Sequence, residues 1–355
     1  MSTRALWSAD RPDTVIEGDN LPALRGLPDG AFQLVYIDPP FNTGMTQKRR
    51  AVTTRVAEGG SRLGFRGRSY ETVRGTVLGY NDAFEDYWDF LEPRLEEAWR
   101  LLPDTGTLYL HLDYREAHYA KVLLDAMFGR DCFLNEIIWA YDYGGRAKRR
   151  WPAKHDTVLV YVKDPRSYWF DSDEVDREPY MAPSLVTAEK AARGKLPTDV
   201  WWHTIVSPTG REKTGYPTQK PEGILRRIIA ASSRPGDWVL DFFAGSGTTG
   251  AAAAALGRRF LLIDENPEAI AVMRARLGDG VRYVRGPGRP REAAGRGRPD
   301  RPGREPLYLV ADPLFLRHRM PASMKPSRSP SKTASGFPTS YSVRRSLTIW
   351  YGFIT

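Results

Sequence analysis

Apolar residues gather into short runs of strand length at 14–17 (TVIE), 33–37 (QLVYI), 107–112 (TLYLHL), 136–141 (EIIWAY), 157–162 (TVLVYV), 237–241 (DWVLD) and 259–263 (RFLLI). Between them, stretches with helical spacing predict helices at 84–102, 115–128, 219–233, 247–257 and 267–277, the first broken at Pro93. Alternating strands and helices are the pattern of a mostly parallel sheet covered on both faces. The expected fold is therefore α/β and doubly wound. Such sheets take ligands beyond the carboxyl ends of their strands, where the strand order reverses, so residues that follow strands come first as candidates.

Two stretches break the alternation. Residues 45–80 are Gly/Arg-rich without a clear period and read as a basic loop, while 163–215 mix proline, charge and the aromatics Tyr168, Trp169, Phe170, Trp201 and Trp202. From 286 to 306, ten of twenty-one residues are Gly or Pro, which predicts a disordered tail over 286–355. The divisions are thus 1–162, an insertion at 163–215, a second half of the same domain at 216–285, and the tail. Both 14–17 and 281–284 (VRYV) are candidates for a sheet edge.

Composition narrows the class. The chain has 355 residues, 41% of them hydrophobic, and a net charge of +9. No apolar run approaches the ~20 residues of a membrane span, and the start, MSTRALWSADRPD, lacks the apolar core of a secretory signal. A cytoplasmic protein without a membrane partner is expected. The single cysteine, Cys132, allows no internal disulfide or cysteine zinc cluster; an inert buried thiol and no metal are expected. The charge is unevenly placed: 286–306 hold six Arg against three acids, 307–312 hold the single acid Asp312, and 313–355 hold seven Lys/Arg and no acid, which leaves 1–285 neutral. Within that neutral body, 45–75 is basic and 82–97 acidic, as fits a protein that touches a polyanion on one face.

Two strand ends carry chemistry. Val35-Tyr36-Ile37 runs into Asp38-Pro39-Pro40-Phe41. The prolines have no N–H and fix φ, so the chain leaves the sheet extended with its carbonyls outward. Asp38 and the Pro39 carbonyl can accept hydrogen bonds and Phe41 offers a flat face, which suits a planar NH2 group. Trp238 to Asp241 runs into Phe242-Phe243-Ala244-Gly245-Ser246-Gly247, where the glycines permit a tight turn and close approach of a ligand to backbone N–H groups. Asp264 follows the next strand, placed to accept from ribose hydroxyls. The Gly-Lys of a phosphate-binding P-loop is absent, and G-x-G-x-x-G is matched only in part.

D-P-P-F (38–41) followed by D-F-F-A-G-S-G-T-T (241–249) resembles the beta-class amino-group DNA methyltransferases, in which the catalytic motif precedes the cofactor motif. Gly18-Asp19-Asn20, Tyr109 to Tyr119, Asn135 to Trp139, Lys154-His155-Asp156 and Tyr216-Pro217-Thr218-Gln219-Lys220-Pro221 resemble the same family, over residues 14–277. Its members usually carry D-P-F where this chain has Asp241-Phe242-Phe243.

The resemblance implies a mostly parallel, seven-stranded Rossmann-like methyltransferase sheet with 163–215 as an inserted target-recognition region. It implies S-adenosylmethionine as cofactor, held by Asp241, Phe243, Ala244, Gly245 and Gly247, by Asp264 at the ribose, and by Thr218 and Lys220 near the methionine end. Asp19 would touch the adenine of the cofactor or serve as a turn acid. Asp38, Pro39, Pro40 and Phe41 would hold the target base, while His111 and His155 would be structural. The implied partner is double-stranded DNA, with a cognate restriction endonuclease and a homodimer as further expectations. The expected activity is site-specific methylation of adenine N6. Cytosine N4 is the alternative, and an RNA or protein-glutamine methyltransferase or an inactive DNA-binding homologue are others.

Overall fold

The computed structural model describes residues 7–41, 45–56, 62–63, 69–82, 87–142, 146–207 and 209–287. These lie in one compact unit, Met1–Arg291. The predicted tail beyond 287 falls outside the described residues.

The first half of the chain forms β1 (Thr14–Glu17), α1 (Asn20–Leu24), β2 (Leu34–Ile37), β3 (Met45–Val56), β4 (Arg62–Leu63), β5 (Ser69–Asp82), α2 (Tyr87–Arg100), β6 (Thr107–Leu112), α3 (Ala117–Phe128), β7 (Phe133–Ala140) and β8 (His155–Val162). It continues through α4 (Ala188–Arg193), β9 (Val200–Trp202), α5 (Glu222–Ser232), β10 (Trp238–Asp241), α6 (Thr248–Ala255), β11 (Arg259–Asp264), α7 (Pro267–Leu277) and β12 (Arg282–Arg285).

Nine strands make the main sheet, in the order β12-β1-β11-β10-β2-β6-β8-β7-β9. Only the pairings of β8, with β6 and β7, are antiparallel. The expected count of seven omits β9, too short to show a period, and β12, one of the two candidate edges. β12 is the edge, and β1 lies inside, paired in parallel with both β11 and β12. The order reverses between β10 and β2, which pair through Leu34↔Val239 and Val35↔Leu240. The loops after these two strands therefore emerge side by side, at the place where a doubly wound sheet takes its ligand.

Strand alternation divides the core. Val35, Ile37, Leu108, Leu110 and Leu112 face α1, α2 and α3 through Leu24, Leu91, Leu95 and Leu124. Leu34, Tyr36, Tyr109, Val158 and Val160 face α5, α6 and α7 through Leu225, Ile228, Ala252 and Met273.

Three expectations are corrected. Helix α2 runs through Pro93 unbroken. An interior proline costs about 3 kcal/mol, and the fully buried Leu91 and Leu95, at roughly 1.5–3 kcal/mol each, offset it. Residues 45–80, expected as a loop, contain a separate antiparallel sheet of order β3-β5-β4. Its Val and Thr residues suit strands, but the arginines and glycines between them mask the period. Cys132, expected buried, is half-buried; burial and the nearby Asp131 and Asp164 push its thiol up, which keeps it inert. Among the described residues no helix is long and apolar enough to cross a membrane.

Gly247 is a packing and turn residue. It caps α6 at φ 72°, and a Cβ there would lie 2.7 Å from Cγ of Met273. Gly247→Ala is expected to lower unfolding stability by about 1–2 kcal/mol or more, from the left-handed backbone alone; a urea titration with an unshifted midpoint would contradict this geometry.

Candidate active site

The loops after β2 and β10 open onto a cavity of about 420 Å³. Of the residues singled out from the sequence, it gathers Asp38, Pro39, Pro40, Phe41, Asp241, Phe243, Ala244, Gly245, Asp264, Thr218, Lys220 and Asp19. Gly247 is not among its lining residues.

At the catalytic end, the Lys220 ammonium forms a tight ion pair with Oδ2 of Asp38 and lies 4.9 Å from the Phe41 ring centroid. Lys220, expected at the cofactor, is thus committed to Asp38 and Phe41. Oδ1 of Asp38 is buried without a hydrogen-bond partner. Lys220 is positioned by the segment before α5. Gln219 accepts from the backbone and hydroxyl of Thr214 and donates to the Glu212 carbonyl at 2.6 Å. Thr218 takes φ 58°, the one positive φ at a non-glycine among the described residues. A β-branched residue in that region is strained, as backbone near ligands often is.

At the other end the carboxylates are anchored from below. Asp241 accepts from Phe243 N–H at 3.0 Å and from the Thr249 hydroxyl at 2.6 Å. Asp264 accepts from Gly245 N–H and Asn266 N–H, both at 2.8 Å, which ties the glycine turn to the neighbouring strand end. Burial pushes Asp241 up to about 7, against those hydrogen bonds and with help from Asp38 and Asp264. Burial likewise brings Asp264 to about 6.

Asp19 is a turn acid, the second of the two roles expected of it. It caps α1 through Leu21 N–H, lines the cavity, and pairs with Arg94 at 3.2 Å. Arg94, which the sequence reading did not single out, donates to Asn20 Oδ1 at 2.6 Å, and Asn20 donates to the Phe242 carbonyl at 2.7 Å. The signal was present, since Arg94 is the only base within the acidic run 82–97. Phe90, from the same helix, lies 5.9 Å from Phe243. The two rings give the cavity an aromatic wall. His111 is buried and hydrogen-bonded, whereas His155 is half-buried at the start of β8.

A family described as DNA methylase matches residues 32–274. The chain belongs to that family. It is 30% identical to the DNA adenine methyltransferase YhdJ of Escherichia coli K12 over 278 residues, 76% of this chain and 84% of that one. It is 30% identical to the type II methyltransferase M.HpaI of Haemophilus parainfluenzae over 255 residues, covering 72% and 71%. Among solved structures, the PvuII DNA methyltransferase, described as cytosine-N4-specific, aligns with a TM-score of 0.51 at 17% identity over 76% of this chain and 90% of that one; at this identity the likeness concerns the fold.

S-adenosylmethionine is the methyl donor of this DNA methylase, and the lining residues fit it. Among the described residues, five carboxyls, of Asp19, Asp38, Asp241, Asp264 and Glu265, face the cavity with only Arg94 and Lys220 as bases. That balance suits a ligand carrying a sulfonium and an ammonium group and disfavours a polyphosphate. Phe90 and Phe243 can stack on an adenine. Among the described residues no group of three or more His, Cys, Asp or Glu could hold a metal ion.

Raised carboxyl pKa values favour the unliganded fold below the ordinary value, and this contribution is lost as pH rises through about 6 for Asp264 and about 7 for Asp241. A cationic ligand reverses the preference. Affinity for S-adenosylmethionine in titration calorimetry is expected to strengthen as pH rises through that window, and that of the uncharged-sulfur analogue S-adenosylhomocysteine to strengthen less. Equal, flat profiles for the two ligands would show that the carboxyls do not face the sulfonium.

Proposed function

We propose that the enzyme transfers the methyl group of S-adenosylmethionine to the exocyclic N6 amine of adenine in double-stranded DNA. The observation that carries this reading is the free, buried Oδ1 of Asp38, whose other oxygen is held by Lys220. A buried acceptor left unpaired costs about 1–3 kcal/mol. An arriving amine relieves that cost. Its hydrogen is drawn toward Asp38 and the Pro39 carbonyl, which loosens the conjugation of nitrogen with the ring and frees its lone pair for attack.

Phe41 supplies the stacking face. The bound cofactor supplies a methyl group activated on a sulfonium, and transfer is a single displacement without a covalent enzyme intermediate. The chain contributes position and fixed dipoles. On this reading Asp241, Phe243, Ala244, Gly245, Asp264, Asp19 and Thr218 hold the cofactor. Lys220 holds the catalytic carboxylate. Aspartate ahead of the two prolines and the adenine methyltransferase among the relatives favour adenine over cytosine.

An adenine inside a duplex must first be extruded, at a cost of roughly a few kcal/mol. The sheet topology supports a DNA-facing surface around the cavity. Strand β8 begins beside the end of β6, with Leu112↔Thr157 paired, and the end of β7 and the end of β9 lie alongside. The β7–β8 connection therefore sits at the catalytic end of the sheet. It carries the exposed Arg146, Lys148, Arg149, Arg150 and Trp151, and β9 ends in the exposed Trp202. These cations would neutralise phosphates, while the 163–215 insertion would read base edges.

The intact protein in a methylation-free bacterial host is expected to produce N6-methyldeoxyadenosine, detected by mass spectrometry of digested DNA. Asp38→Ala is expected to reduce it on the order of 10²–10³-fold, as for loss of one group placed for the transition state. N4-methyldeoxycytidine as the product would overturn the base assignment, and neither product from a folded, cofactor-binding protein would overturn DNA as substrate.

A further inference from the structure

Methyl transfer to an amine leaves one proton too many. Nitrogen gains a carbon, sulfur keeps the electron pair of the broken C–S bond, and one N–H proton must depart. Asp38 has one oxygen paired with Lys220, and its other oxygen is the acceptor that orients the amine. The proton needs another destination.

Tyr36 stands two residues before Asp38, on the same face of β2, and lines the same cavity. Its hydroxyl is 2.8 Å from Nδ1 of His111, and Nε2 of His111 is 3.2 Å from Oδ2 of Asp156. The Tyr141 hydroxyl donates to Oδ1 of Asp156 at 3.0 Å. A carboxylate only accepts, so Nε2 of His111 carries the hydrogen; Nδ1 of the neutral ring is then an acceptor and Tyr36 donates to it. His111 is wholly buried, with the Phe41 and Trp139 rings 6.1 and 5.6 Å from its own.

We propose, resting on the adenine-N6 reading, that Tyr36, His111 and Asp156 are the proton exit of the methyl transfer, with Tyr36 the catalytic residue and His111 and Asp156 positioning residues behind it. As nitrogen bonds the methyl carbon, its proton passes to the Tyr36 oxygen and the hydroxyl proton passes to Nδ1 of His111. The resulting imidazolium is paired with Asp156. When the methylated base has left, water entering the cavity takes the proton back through Tyr36. The arrangement has the logic of a hydroxyl, an imidazole and a carboxylate in series, used here to remove a proton from the substrate.

Electrostatics agree with this geometry. Burial, then the charges of Asp38, Asp241 and Asp156, hold the Tyr36 phenol well above its ordinary range, so it stays protonated and its two protons move together. Burial pushes Asp156 up, but the hydrogen bond and charge of His111, the charge of Lys220 and the Tyr141 hydroxyl bring it below the ordinary value. The titratable and charged groups around the imidazole are thus Tyr36 and Asp38 from β2 and its loop, Asp156 from β8, Tyr141 just after β7, Lys220 before α5, Asp241 from β10, and Asp113, whose charge reaches Tyr141.

The test is single-turnover transfer from labelled S-adenosylmethionine to unmethylated plasmid DNA with enzyme in excess, from about pH 5.5 to 9, for the wild type, Tyr36→Phe and His111→Asn. Asparagine can accept from Tyr36 in place of Nδ1 and cannot take the proton. Both variants are expected to be slower by about 100-fold, with cofactor affinity and melting temperature close to wild type. The wild-type rate is expected to fall toward acid, and both variants are expected to lack that limb. Variants with the wild-type rate and acid limb overturn the relay, and so does a rate loss matched by an equal loss of cofactor affinity. A measurement on the wild type alone needs no variant to fold: a solvent isotope effect with a curved proton inventory is expected, and its absence overturns the relay. A wild-type reaction that yields no N6-methyldeoxyadenosine overturns instead the reading on which the relay rests.

Discussion

Carboxylates crowd the end of this sheet. Asp38, Asp241 and Asp264 terminate or follow β2, β10 and β11, three strands adjacent in space, and each is wholly or partly buried. Like charges so placed cannot all be ionised without partners. Each one is partnered differently, and Asp38 only at one oxygen. Asp38 has the Lys220 ammonium, Asp264 has two backbone N–H groups, and Asp241 has a hydroxyl and one N–H while burial raises its pKa to about 7. Much of the rest of the site follows from this crowding. The glycine turn is pinned by Asp264, the start of α6 is pinned through Thr249, and the segment before α5 must deliver a lysine to a position fixed by β2.

That delivery accounts for the strained backbone at Thr218. Lys220 must reach Asp38 and cover Phe41 while Pro221 caps α5, whose Ile224, Leu225, Ile228 and Ile229 are buried against the sheet. The helix is fixed by its apolar face and the lysine by its charge. The two residues between Tyr216 and Gln219 absorb the mismatch, and Gln219 locks the result through Thr214 and Glu212. The strain sits at a residue that lines the cavity.

Much of the fold was legible because each central strand is a short apolar run ending in a polar residue. Asp38, Asp241 and Asp264 announced the sheet's ligand end by position alone. What the sequence did not show has physical causes. Strand β9 has three residues, too few for a period, and β3 to β5 alternate β-branched residues with arginine and glycine. The loop that carries Lys220 follows the family text, but the ion pair of Lys220 with Asp38 depends on a contact with a residue 182 positions away. Arg94 and the Tyr36–His111–Asp156 series are of the same kind. Each member is unremarkable in its own segment, and only lateral strand order brings them together: β2 beside β6, and β6 beside β8.

The pairing of β2 with β10 has a further meaning for how the molecule comes into being. Leu34 and Val239 are neighbours across some two hundred residues of chain, and β1, near the amino terminus, is sandwiched between β11 and β12, close to the end of the described chain. Contacts of such sequence separation are the slow ones to close. During synthesis the amino-terminal half can gather β2, β6, β7 and β8, but the open side of β2 has no partner until residue 241 has emerged, and β1 has none until residue 264. Asp38 is made early and waits, beside an unpaired strand edge, for the half of the protein that carries β10 and β11. Through that interval the edge of β2 is the nascent chain's point of greatest exposure to aggregation.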